Sequence, residues 1–154
     1  MVVVPFFKRA TQIVPDCNTY PKHKTALAMM IFYHHWYDWF GDEDLLVKKS
    51  LEKVMIEWGL EKKTLKRGYS LKGKLKKHIT VVGMTKSNSF IWVWKGYFNK
   101  ISESSLMHEL VHVALRAKYG HGDRDHEGSK YDGWTVDHTA MILEAKETLR
   151  SFDI

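Results

Sequence analysis

Cysteine is almost absent from this sequence. Cys17 is the only one in 154 residues, so no disulfide can form within the chain and a cysteine-rich zinc ribbon is excluded. With 44% hydrophobic and 13% aromatic residues, the composition is that of a globular protein rather than a disordered one. We expect a chain of this length to fold as one domain, residues 1–154, whose core needs no disulfide support.

Long apolar runs are missing as well. The longest apolar segment, residues 27–40, contains His34, His35 and Asp38 and is shorter than the roughly 20 residues that span a bilayer. The opening residues, MVVVPFF, are too short for the core of a signal peptide, and Pro5 interrupts them. We therefore expect no membrane span and a cytoplasmic or intracellular protein, with association with a virus particle as a variant of this expectation.

Acidic residues are rare in one segment of the chain. From Glu61 to His78 there are eight lysines or arginines and one acid, whereas the rest carries 16 basic and 17 acidic residues. The net charge of +6 therefore comes from this basic segment, whose members are Lys62, Lys63, Lys66, Arg67, Lys72, Lys74, Lys76 and Lys77. Such a segment suits weak, sequence-independent binding of a polyanion such as nucleic acid; the alternative is a solvated lysine-rich loop and strand edge.

The N-terminal part of the chain is predicted to be helical. A first helix is expected from Pro21 to Phe40, where a glycine would end it. Asp42 is a suitable N-cap for a second helix that extends to Trp58.

Strands are expected in the middle of the chain. The runs at residues 78–84 and 89–96 are rich in β-branched and aromatic residues. The short polar turn TKSN between them predicts a hairpin.

Two more helices are predicted in the C-terminal third. Ser102 is expected to cap the first, which ends at Gly120, and Asp132 to cap the second, which reaches about Phe152. The predicted fold class is α+β: a single zincin-like domain with N-terminal helices, a small antiparallel sheet, a motif helix and a C-terminal helix.

The pentapeptide HELVH, residues 108–112, lies in the third predicted helix. Two histidines four residues apart lie on one face of a helix, about 6 Å from each other, so His108 and His112 can reach one metal ion. Glu109 lies one residue round from that face, where its carboxylate can contact a water rather than the metal itself. This is the zincin pattern of two histidine ligands and a glutamate general base.

A third ligand is needed, because a catalytic zinc keeps three protein ligands and one open position. The extended metzincin pattern does not apply, since position 118 holds a lysine. The histidines and carboxylates that remain available lie in the polar loop after the helix and on the apolar stripe of the last helix. They are His121, Asp125, His126, Glu127 and His138.

The run HELVHVALRAKYGHGDRDHEGSKYDGW resembles the SprT-like, or Spartan-type, metalloprotease family. That family has HExxH on a helix, a polar loop of about a dozen residues, and a third histidine followed by glycine and shortly by an aromatic residue. The resemblance covers roughly residues 88–145. The matching residues are His108, Glu109, His112, His126, Gly128 and either Tyr131 or Trp134.

This chain departs from the family pattern in three ways. Glu127 separates the third histidine from its glycine, the aromatic residue is displaced, and no zinc ribbon follows. The resemblance implies one Zn²⁺ per chain held by His108, His112 and His126, with Glu109 as general base. It also implies hydrolysis of a protein or peptide substrate, and, together with the basic segment, a DNA-associated protein as that substrate.

Other residues are expected near this site in supporting roles. Tyr131 could donate to an oxyanion, and His138 is either a partner behind the ligands or a core histidine. An extended substrate commonly adds to the edge strand of a zincin sheet, for which residues 90–95 are the candidate.

Two other functions fit the same residues. A zincin-fold domain can serve as a structural or adaptor component of a larger assembly, such as a phage or virus particle, without catalysis. The chain can also be a basic nucleic-acid-binding module in which HELVH is incidental.

Overall fold

The computed structural model describes eight stretches of the chain. They are residues 12–13, 22–41, 45–59, 61–69, 75–87, 89–95, 100–120 and 133–152. Within these stretches the protein is of mixed α+β class with four α-helices, as the sequence predicts. The expected single antiparallel sheet is wrong, because the described strands form two sheets and most strands of the larger one run parallel. Across the same stretches, no helix combines the length and the apolar character needed to cross a bilayer.

Helix α1, Lys22–Phe40, has the predicted bounds. It ends at Gly41, whose φ of 88° lies in the left-handed region that glycine adopts without strain. Phe32 and Trp36 are buried on its inner side. Helix α1 therefore packs its aromatic face into the core.

The second predicted helix is wrong in its C-terminal half. Helix α2, Leu45–Lys53, is followed by strand β2, Met55–Gly59, and the proposed cap Asp42 lies outside the described residues. Ile56 and Trp58 are fully buried in β2 and alternate with more exposed neighbours. This period of two, together with pairing on both sides of the strand, outweighs the helical pattern that the sequence suggests.

The larger sheet has the strand order β1-β2-β6-β5. Strands β1 (Gln12–Ile13), β2 and β6 (Phe90–Trp94) run parallel, and β5 (Gly83–Ser87) is antiparallel to β6. Strand β6 is therefore internal, so the prediction that residues 90–95 form the sheet edge is wrong. Among the described residues, β5 is the edge on this side of the sheet.

The predicted hairpin is confirmed in part: β5 (Gly83–Ser87) and β6 pair antiparallel, but β5 takes up most of the predicted TKSN turn. Strands β3 (Lys63–Tyr69) and β4 (Leu75–Val81) form a separate two-stranded antiparallel sheet, and β4 takes up the first half of the run at 78–84. The second half belongs to β5, which pairs with β6. The described part of the basic segment thus lies largely in two paired strands.

The caps of the last two helices lie three residues later than predicted. Residues Ile101–Glu103 form one 3₁₀ turn, and helix α3, Leu106–Tyr119, begins after Ser105 rather than Ser102. The Ser104 hydroxyl accepts a hydrogen bond from the Leu106 amide at 3.2 Å, which satisfies one free donor at this helix start. Gly120 ends α3 with a φ of 80°, as predicted.

Helix α4, Val136–Arg150, begins after Thr135 and not after Asp132, which lies outside the described residues. Its buried side chains include His138 and Met141, as the predicted stripe requires. Helix α4 packs against α1, where the Trp39 indole donates to Glu144 at 2.9 Å. Helix α3 lies between α2, α4 and the sheet and is buried along most of its first ten residues.

Candidate metal centre

The first two turns of α3 bring His108, Glu109 and His112 together. Their candidate ligand atoms all lie within 4.8 Å of one another, so the group could hold a metal ion. The two imidazole rings are 5.0 Å apart and nearly perpendicular. His112 and Glu109 are buried, and His108 is partly exposed. Two imidazoles with a nearby carboxylate form a donor set that suits divalent transition metals.

Glu109 is held in place by the edge strand. The Thr85 hydroxyl lies 3.0 Å from Glu109 Oε1 and 3.1 Å from the Glu109 carbonyl oxygen, so it donates to this one residue. The other carboxylate oxygen, Oε2, lies 3.9 Å from His108 Nε2. The carboxylate therefore lies between β5 and the histidine pair.

Burial sets the protonation of this carboxylate. It raises the pKa of Glu109 to about 8, and the hydrogen bond from Thr85 opposes the rise. A buried carboxyl next to two imidazoles is costly to ionise unless positive charge lies close to it. The environment of Glu109 is thus compatible with a cation bound by the histidines.

Gly83 makes room for the same carboxylate. A Cβ atom at this position would lie 2.7 Å from Glu109 Oε2 and 2.9 Å from its Cγ. Any other residue at position 83 would have to displace the Glu109 side chain or the strand. Gly83 and Thr85 therefore both lie on the side of β5 that faces α3, next to Glu109.

Trp134 forms a wall of the site. Its ring lies 4.9 Å from the rings of both His108 and His112, and its indole N–H donates to Thr139 at 3.0 Å. The side chain is only 6% exposed. Trp134 therefore packs against the site and restricts the orientations that the two imidazoles can take.

His138 does not join the metal group. Its Nδ1 accepts a hydrogen bond from the Thr135 amide at 3.0 Å, and its ring stacks on Phe40 with centroids 4.2 Å apart. The Trp36 ring also lies 5.4 Å away. His138 is therefore a capping and core histidine that lies behind Trp134, whose ring centroid is 6.4 Å from its own.

Several predicted site residues fall outside the described residues. The favoured third ligand His126 is among them, and its assignment stays a prediction. So do the alternatives His121, Asp125 and Glu127, and the oxyanion donor Tyr131.

Of the basic segment, Lys62, Lys66, Lys76 and Lys77 are exposed and Lys63 is half-buried. Lys72, Lys74 and the Arg67 side chain lie outside the described part of the chain.

No known protein family, curated protein or solved structure matches this chain. The similarity to SprT-like proteases therefore remains an expectation from the motif.

We expect His138 to contribute to the pH dependence of the free energy of unfolding. Burial lowers its pKa from 6.5 to about 4, while the negative charge of Asp137 opposes this shift. Between pH 6.5 and 4 the unfolded chain binds the extra proton, so acidification through this range should cost up to about 3 kcal/mol of unfolding free energy. His138→Gln keeps an acceptor that can cap the helix but does not titrate here. The measurement is the free energy of unfolding of both chains in urea at pH 7, 5.5 and 4.5. A variant whose free energy of unfolding depends on pH as steeply as that of the unchanged chain would contradict the prediction.

The hydrogen bond from Thr85 is expected to contribute to stability. Thr85→Val keeps the shape of the side chain and removes the donor, so the buried Glu109 carboxyl loses a partner. We expect a loss of about 1–2 kcal/mol in unfolding free energy, measured by urea titration. Thr85→Ser retains the hydroxyl and is the matched control. Equal stabilities of the valine and serine variants would show that this bond contributes nothing.

Proposed function

We propose that this protein is a zinc-dependent peptidase. The observation that carries the proposal is the buried Glu109 carboxylate, which the Thr85 hydroxyl holds beside a histidine pair of ligand spacing. Burying a carboxyl group costs free energy, and carboxyl groups with such perturbed surroundings are concentrated at functional sites.

His108, His112 and His126 are the proposed ligands of one Zn²⁺. Imidazole nitrogens suit this ion, and its protein sites commonly use three such ligands when they are catalytic. Zinc held there supplies a Lewis acid that polarises a carbonyl and lowers the pKa of water. Its positive charge also favours the ionised form of Glu109 and so opposes the effect of burial on that pKa.

Glu109 is the proposed general base. Thr85 occupies one face of the carboxylate through Oε1, and Oε2 points towards His108, on the side where the ligands converge. In that position it can take a proton from the attacking water and pass it to the leaving amine. Thr85 and Gly83 keep the carboxylate oriented for this transfer, and Trp134 excludes water from one side of the pair.

Strand β5 is the proposed binding edge for an extended peptide. It is the strand at this edge of the described sheet, and its Thr85 contacts Glu109 directly. A peptide that adds to β5 by main-chain hydrogen bonds would therefore lie beside the catalytic carboxylate. This replaces the strand at residues 90–95, which is internal. A DNA-associated protein remains the proposed substrate, on the strength of the basic hairpin.

The test is cleavage of a panel of unfolded and DNA-bound proteins, with and without a chelator. Metal content of the purified chain is measured in parallel by mass spectrometry. Chelator-sensitive cleavage together with about one zinc per chain supports the proposal. A chain that holds zinc and cleaves nothing would instead support a structural or adaptor role in a larger assembly, and a chain without metal would leave the motif incidental.

A further inference from the structure

The face of the larger sheet that points away from α3 carries a stripe of aromatic rings. Thr85 reaches α3, so its neighbour Met84 lies on the opposite face of β5. Met84 pairs with Trp92, which therefore shares that opposite face. By the alternation of the strand, Phe90 and Trp94 lie on the same side as Trp92. Strand β6 thus presents three successive aromatic rings on the side of the sheet remote from the metal centre.

Each of these three rings is covered by a lysine. The ammonium group of Lys86 lies 5.0 Å from the centre of the Phe90 ring. Lys63 lies 4.5 Å from the ring of Trp92, and Lys62 lies 4.7 Å from that of Trp94. We call these six side chains the aromatic–lysine face. They are Lys62, Lys63, Lys86, Phe90, Trp92 and Trp94.

The charge around this face is mainly positive. Residues 62–102 contain eleven lysines or arginines and no acidic residue, whereas the rest of the chain has 13 basic and 18 acidic residues. The acidic residue in register with Trp92 is Glu57 on β2, which is half-buried. The aromatic–lysine face therefore belongs to the strongly basic part of the chain, whose positive charge attracts polyanions over several ångströms.

The three aromatic rings differ in their exposure to solvent. Trp92 is 2% exposed, because it packs between Lys63 and the backbone at Gly59, whereas Phe90 and Trp94 are half-buried. Lys62 and Lys86, which cover these two outer rings, are exposed. A lysine on a flexible stem can turn from a ring to a phosphate, and an exposed cation–π contact is worth only about 0.5–1 kcal/mol.

We propose that the aromatic–lysine face binds single-stranded nucleic acid. The lysines would contact phosphates, and unpaired bases would stack on the outer rings of Phe90 and Trp94. Positive charge combined with aromatic rings on a flat surface is the arrangement that holds single strands without sequence preference. A duplex offers its phosphates to the same lysines but keeps its bases stacked inside, and an acidic peptide gains little from the rings.

This binding does not depend on the proposed peptidase activity. The face lies on the opposite side of the sheet from Thr85 and α3, so its variants should leave metal content unchanged. Nucleic acid held there would place proteins bound to the same strand close to the edge strand β5.

The test is fluorescence anisotropy of the full chain with a labelled single strand, with the duplex that it forms with its complement, and with polyglutamate. Single strand is expected to bind more tightly than duplex at low salt. Trp94→Leu, which keeps an apolar side chain but no ring, should weaken single-strand binding about tenfold and leave duplex binding unchanged. Trp94→Phe should restore most of the affinity. Trp39→Leu, at an exposed tryptophan of α1, is the matched control.

The lysines are tested by a charge-matched pair of variants. Lys62→Gln with Lys63→Gln should reduce single-strand affinity about tenfold and lower the slope of log affinity against log salt by about 1.4, for two lost phosphate contacts. Lys49→Gln with Lys53→Gln removes the same charge from exposed positions of α2 and should have a much smaller effect. Equal binding of duplex and single strand with no effect of Trp94→Leu would overturn the proposal. So would polyglutamate binding of similar strength, or no binding at low salt.

Discussion

Replacing Glu109 with glutamine is expected to leave a folded, metal-binding protein that has lost most of its proteolysis. General acid–base help typically accounts for about 10²–10⁴-fold in rate, and the loss should fall in that range. Glutamine has nearly the shape of glutamate, and its side-chain oxygen can still accept the hydrogen bond from Thr85 that Glu109 Oε1 accepts at 3.0 Å. Because the site is buried, an uncharged side chain there should not lower stability.

The measurement compares cleavage rate, zinc content and urea unfolding between Glu109→Gln and the unchanged chain. Glu147→Gln is the matched control, since Glu147 is an exposed glutamate on α4 that pairs with its helix neighbour Arg150 at 2.6 Å. Cleavage that survives Glu109→Gln would exclude this residue as the base. Loss of zinc in the variant would instead assign Glu109 to the ligands, which its position within 4.8 Å of both histidine nitrogens allows.

The second large effect is expected when one of the proposed histidine ligands is replaced. His112→Ala should weaken zinc binding by more than about 100-fold, because removing a partner behind a ligand already costs about 10–100-fold. His108→Ala and His126→Ala should behave alike, since two remaining ligands rarely hold a catalytic zinc. Zinc occupancy is read by mass spectrometry after dialysis against a metal buffer. His34→Ala, at an exposed histidine of α1, should change nothing.

The third ligand is decided by the loop variants. If His126→Ala keeps full occupancy while His121→Ala or Glu127→Ala loses it, the assignment of His126 is wrong. A chain in which all three variants keep their zinc would place the remaining ligand elsewhere, with Asp125 and Glu109 as the next residues to replace.

Local sequence determined the features that depend on a single helix. The i,i+4 spacing of His108 and His112 and the glycine after the helix are read directly from the chain, because an α-helix has a fixed period. The bounds of α1 and the buried stripe of α4 follow for the same reason. The α+β class and the group that could hold a metal were therefore predictable.

Tertiary structure decided the features that depend on neighbours distant in sequence. Strand β2 was predicted to be helical, because the sequence of its five residues does not show that it pairs with β1 and β6. The same pairing made β6 internal and β5 the edge.

Thr85 and Gly83, which hold and accommodate Glu109, lie 24 and 26 residues before it, and no pattern in the chain marks either of them. The contacts of Lys62 with Trp94 and of Lys63 with Trp92 likewise join residues about 30 positions apart. Helical periodicity is a local property of the backbone, whereas strand order and the contacts between a strand and a helix depend on the free energy of the whole packed core.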